Sequence, residues 1–163
     1  MAVLQGGYGE LEEHSWSELS TTEVGKKGQG LVAAKLSRRG YLAELVSHNS
    51  HGIRIHIRAS SSDATRSVDI QVRTARSVTP HWAMGKKDLA ENIRYVFVCV
   101  APEDSATFYV VPGRDVVEYL SENHAEWLKT RGKHGQAHNA TSRRFFEDPT
   151  HKYKDRWELL GLD

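Results

Sequence analysis

The stretch RSVDIQVRTAR, Arg66 to Arg76, decides how the rest of the chain is read. Its apolar residues Val68, Ile70 and Val72 alternate with Ser67, Asp69, Gln71 and Arg73, the period-two pattern of a strand with one buried face. The polar face is the puzzle, because it sets an acid, an amide and a guanidinium in a row. Just upstream, GIRIHIRAS (52–60) repeats the alternation, with Ile53, Ile55 and Ile57 against Arg54, His56 and Arg58. The linker SSSDAT between them is rich in turn formers and predicts an antiparallel hairpin. In that hairpin the three isoleucines pack with Val68, Ile70 and Val72. Arg54, His56 and Arg58 share the other face with Ser67, Asp69, Gln71 and Arg73. A symmetric loop sets His56 opposite Asp69 and Arg54 opposite Gln71.

Working outward, TEVGKKGQGLVAAKLSRRG (22–40) places Val32 and Leu36 four apart and ends on Gly40, which predicts a helix. YLAELVS (41–47) is a strand candidate. RYVFVCVA (94–101) is continuously apolar and β-rich, the signature of a central strand covered on both faces. ATFYVVP (106–112) extends the sheet after the turn PEDS. RDVVEYLSENHAEWLKTRG then predicts an amphipathic helix with Val116, Val117, Leu120, Trp127 and Leu128 on its apolar side. Residues 131–150 are polar, with Gly and His, and read as a long loop. KYKDRWELLGLD closes the chain with a short helix docked through Trp157, Leu159 and Leu160. Residues 1–20, Gly- and Glu-rich, read as a peripheral arm, and 21–163 as a single α/β domain of order α-β-β-β-β-β-α.

Composition narrows the function classes. The 163 residues are 39% hydrophobic, enough for one respectable core. Twenty-two Lys and Arg oppose 21 Asp and Glu, so net charge points to neither nucleic acid nor membrane. No apolar run approaches the roughly 18 residues of a membrane-spanning helix. The N-terminus lacks the charged-then-apolar order of a signal peptide. The single cysteine, Cys99, lies in the apolar YVFVCV and allows no internal disulfide. A cytoplasmic protein is expected.

The order of motifs resembles the restriction-endonuclease-like, PD-(D/E)XK nuclease superfamily in a small stand-alone bacterial form. GQGLVAAKLSRRGY, NSHGIRI, IQVRT, WAMGKK, YVFV and FYVVP stand in the order of the family's helix, metal strand, E/Q-x-K strand, W-x-x-G-K stretch and following strands. The likeness spans about residues 25–160, and it implies a mixed central sheet flanked by helices. It also implies a divalent metal on acidic oxygens with a lysine beside the scissile phosphate. Carried across residue by residue, the first-helix Glu falls on Gln29, the metal-binding Asp on Arg54, the third-motif Glu or Gln on Gln71, and the lysine on Arg73. Gln29 supplies no negative charge. Arg54 sets a permanent cation where the metal should sit, and Arg73 cannot release a proton. The site reads as degraded, with no metal and no cofactor expected.

The expectation is therefore a non-catalytic nuclease-like module that binds nucleic acid or a protein partner, in a mobile-element, phage or defence setting by analogy. A homodimer is compatible with the same resemblance. Arg54, Arg58, Arg73 and Arg76 form the candidate phosphate-contacting strip. One alternative is an active Mg²⁺-dependent DNA endonuclease with Asp69, Gln71 and Arg73 as catalytic residues. Another is a pure protein-interaction subunit. Against the sharper readings, Asp69 is most simply a cross-strand partner of His56 or a diagonal contact of an arginine, and Asp63 a turn former. His134 and His138 sit four apart in a loop without a nearby Cys, a poor zinc pattern. His48, His51 and His56 lie near the would-be site with no evident nucleophile. GKKGQG lacks the order of a phosphate-binding P-loop. Trp82 and the lysines of WAMGKK fit a family stretch or ordinary loop packing.

Overall fold

A serine starts the first helix. Ser20 Oγ accepts from the Glu23 N–H at 3.2 Å while the Glu23 carboxylate accepts from the Ser20 N–H at 2.7 Å, a reciprocal cap. The helix α1 runs Thr21–Arg38 and buries Val24, Gly28, Val32 and Leu36, a stripe at four-residue spacing. The computed structural model describes residues 18–50, 52–101, 105–130 and 144–163. The arm, apart from its last three residues, lies outside the described residues, as do His51, His134 and His138.

Six further strands and helices match the expected order: β1 (Leu42–Ser50), β2 (Ile53–Ser60), β3 (Ser67–Ala75), β5 (Arg94–Val100), β6 (Ala106–Pro112) and α2 (Gly113–Lys129). Two more strands, β4 (His81–Met84) and β7 (Arg144–Glu147), pair with one another as a small antiparallel sheet. Segment 144–147, expected as loop, is thus a strand. Its partner lies some sixty residues upstream, where no local pattern announces it.

The main sheet has order β1-β2-β3-β5-β6, and only β3 and β5 run parallel. The chain is accordingly α/β, with a mixed five-stranded sheet and two helices. β5 is buried on both faces, as its unbroken apolar run requires. Val96, Val98 and Val100 point into a core with α1, while Tyr95, Phe97 and Cys99 point into a second core with β4, β7 and α2. The C-terminal segment covers the outer edge of β6. Val110 N donates to Tyr153 O and Asp155 N to Phe108 O, and a 3-10 helix Trp157–Leu160 buries Trp157 and Leu160. This occupies backbone groups that an edge strand would leave open.

Three expectations are corrected. The hairpin register is shifted by two, so that Arg58 faces Asp69 and Ile57 faces Ile70. The turn sets this: Asp63 Oδ1 accepts from Ser61 Oγ, Thr65 N and Thr65 Oγ1, and Ala64 takes φ +58°. Those bonds centre the loop one residue later than symmetry about SSSDAT suggests. The isoleucines of β2 also divide. Ile57 joins the α1 core with Ile70 and Val72, whereas Ile53 and Ile55 join the second core. Finally, α2 buries only Gly113, Val116 and Leu120, and Leu128 is 41% exposed.

Candidate functional site

β2 and β3 pair only between Ile57–Ser60 and Ser67–Ile70. Beyond Ile57 they part: β2 continues against β1, whose bulge between Leu45 and His48 bends the pair, and β3 continues against β5. At the parting, side chains do the work of the missing ladder. Gln71 Nε2 donates to Arg54 O at 3.0 Å, and Val72 N donates to His56 Nδ1 at 2.9 Å. Unmade backbone bonds in a half-buried gap are costly, so an amide and an imidazole of the right reach close it.

The seam extends inward as a chain of polar contacts. Arg73 Nε donates to Gln71 Oε1 at 3.1 Å, and Arg73 Nη2 meets Asp88 Oδ2 at 2.6 Å. The same Asp88 oxygen accepts from Gly85 N at 3.1 Å, which fixes the 3-10 turn Lys86–Asp88. Tyr95 on β5 ties the turn down, donating to Asp88 O at 2.6 Å and accepting from Ala90 N at 2.9 Å. Burial pushes the Tyr95 hydroxyl up to about 12, so it stays a donor. Burial, then the charges of Arg54 and Arg73, push His56 below its ordinary value of 6.5. A neutral imidazole is what accepting from Val72 N demands.

Partners within the chain account for the polar face of β3. Asp69 faces Arg58, with Arg58 Nε 3.0 Å from Asp69 Oδ1. Gln71 is buried and spent on Arg54 O and Arg73. Arg73 is held by Asp88. Of the candidate phosphate strip, then, Arg58 and Arg73 are neutralised within the chain, and Arg76 Nη1 donates to Leu19 O at 2.6 Å. Arg54 is exposed, with its guanidinium 3.5 Å from Ser47 Oγ. Gln29 rides on α1, which packs against the Ile57, Ile70 and Val72 side of the sheet. No hydrogen bond or ion pair joins it to Arg54, Gln71 or Arg73 among the described residues.

A magnesium ion needs several converging oxygens. Here both nearby carboxylates are engaged by arginines, and the other groups at the seam are an amide, an imidazole and a guanidinium. Among the described residues no three or more His, Cys, Asp or Glu stand together as a metal site. The residues present do not fit the ion. No protein-family model, curated protein or solved structure matches the chain. No helix among the described residues is long and apolar enough to cross a membrane.

Two features escaped sequence reading. Asp88 directly follows WAMGKK, and only the crossover from β3 to β5 brings it to Arg73; an acid one residue past the Gly-Lys-Lys was the available signal. A groove of about 550 Å³ between α2 and β7, lined by Tyr119, His124, Trp127 and Phe145, follows from the unforeseen β7. Trp82, by contrast, is core: it is 2% exposed and its indole N–H donates to Val98 O at 3.0 Å.

Proposed function

We infer that the chain is a non-catalytic binding module built on a restriction-endonuclease-like core. The observation that carries this reading is Arg73, the residue in the lysine position of the resemblance. It is locked between Gln71 Oε1 and the Asp88 carboxylate rather than presented to a substrate. An α-β-β-β order with β3 parallel to the next strand of the main sheet, and strands that part beside the E/Q-x-K position, support the same ancestry. Fold-level likeness does not itself assign an activity. The chemistry does the rest, because hydrolysis of a phosphodiester needs a metal-held or base-activated water, and among the described residues the seam offers neither a convergent oxygen set nor an open base. The internal neutralisation of Arg58 and Arg73 favours a protein partner over a nucleic acid. Exposed Leu42 and Leu45 on the outer strand β1 point the same way.

Incubation with supercoiled plasmid and Mg²⁺ or Mn²⁺ tests it. The expected result is no nicking by the wild type, and little DNA retention even at low salt. Metal-dependent nicking that disappears in Asp69→Ala would instead establish an endonuclease using Asp69, Gln71 and Arg73. Retention that weakens steeply as salt rises would establish a nucleic-acid partner for the arginine strip.

A further inference from the structure

We propose that His56 is a proton-operated clasp that holds β2 against β3 only while its ring is neutral. The inference needs the seam's geometry alone and stands apart from the nuclease-like reading. Where the ladder stops at Ile57 and Ile70, the Val72 N–H has His56 Nδ1 as its acceptor at 2.9 Å. A protonated imidazole carries hydrogen on both nitrogens and cannot accept. The ring and the Val72 N–H would then face one another as two donors, and the bond must break.

The surrounding charges sharpen the switch. Arg54 on the same strand and Arg73 on β3 are both cations that act on the ring. The nearest acid on the neighbouring turn, Asp88, is taken up by Arg73. On β5 the Tyr95 hydroxyl is held protonated and donates to Asp88 O. On β1, His48 stands opposite Ile55, and Ser47 touches Arg54. Asp69 is turned to Arg58. A third cation thus arrives beside two arginines whose acidic partners, among the described residues, are absent or already engaged. The second seam bond, Gln71 to Arg54 O, lies one step further along the same gap, so release of His56 loosens it as well.

The sign follows from linkage. The folded seam binds the proton less well than a free histidine does, so its stability is fully present above the free value of 6.5 and is lost as pH falls below it. Opening of the seam should grow as pH falls below 6.5, at a rate whose limit is about tenfold per pH unit.

Nuclear magnetic resonance on the full chain tests the clasp. Long-range proton–nitrogen correlation should show His56 neutral with its hydrogen on Nε2 at about pH 7.5. The protection factor of the Val72 amide, corrected for intrinsic exchange, should fall as pH drops below 6.5, with a one-proton limit of about tenfold per unit. Phe97 in β5 should keep its protection over the same range. His56→Asn places a non-titrating carbonyl oxygen near the Nδ1 position, and should hold Val72 protection flat with pH. His48→Asn should behave as wild type. A hydrogen on Nδ1, a pH-independent Val72 amide in the wild type, a slope retained in His56→Asn, or Phe97 losing protection together with Val72 would each overturn the proposal.

Discussion

Trp82→Ala is expected to lower unfolding free energy by about 3–5 kcal/mol, the range for deleting a buried large aromatic side chain. Trp82 fixes the small sheet to the large one. Its ring lies 4.8 Å from Phe97, 5.2 Å from Tyr109 and 6.3 Å from Phe146, centroid to centroid. Its N–H meets a carbonyl of the central strand. Alanine removes all four contacts, and the packed aromatic walls have little freedom to collapse into the space. Since whole domains are stable by about 5–15 kcal/mol, this loss approaches the margin of folding. Trp82→Phe keeps most ring packing but leaves Val98 O without its donor, so a smaller cost of about 1–2 kcal/mol is expected. Urea unfolding followed by far-ultraviolet circular dichroism measures both. A loss under about 1 kcal/mol for Trp82→Ala would mean that β4 is not anchored as described.

Gly28→Ala should destabilise, although alanine is the better helix former by about 1 kcal/mol. A Cβ at Gly28 would overlap Thr74 Oγ1 and stand only 3.0 Å from Thr74 Cβ and 3.2 Å from Cγ2. Thr74 cannot step aside easily, because its strand is paired with β5 opposite Val98. Overpacking of this kind costs about 1–3 kcal/mol, enough to reverse the propensity gain. Gly30→Ala is the matched control. Nothing lies within 4 Å of its Cβ position, so it should stabilise by about 0.5–1 kcal/mol. Thr74→Ala should rescue part of the Gly28→Ala loss, since the hydroxyl it removes is buried without a hydrogen-bond partner among the described residues. A double-mutant cycle reads that coupling directly. Gly28→Ala and Gly30→Ala shifting stability in the same direction would contradict the close approach of α1 to β3.

The strand pattern was legible in the sequence. Strand alternation in 52–60 and 67–74, and the unbroken run 94–101, declared their elements because a sheet imposes its period on the sequence that fills it. Val32 and Leu36 four apart, closed by Gly40, marked the first helix, while its Ser20–Glu23 cap went unread. Register was harder, since it hung on three bonds made by Asp63 inside the turn. β7 was hidden: RFFE is too short and too polar to stand out, and its pairing with HWAM is decided by distant packing. At the seam, the polar face of β3 was visible as an oddity, but the expected partners of Asp69 were His56 opposite it or an arginine on the diagonal, whereas Arg58 stands directly opposite. What the residues alone could not show was Asp88, delivered by a crossover, or His56 turning its ring to a backbone N–H instead of a carboxylate. Gly28, read beforehand only as part of GKKGQG, proves to be the point of contact with the sheet.

The central claim is that the gap between β2 and β3 is closed by a cationic, hydrogen-bonded seam that holds no divalent metal. Crystals soaked in manganese and measured at the manganese absorption edge test it most directly. The account predicts no anomalous density within bonding distance of Asp69, Gln71 or Asp88, with Arg73 still on Asp88. A manganese peak beside Arg54 and Gln71, with Asp69 turned away from Arg58 to ligate it, would contradict the account.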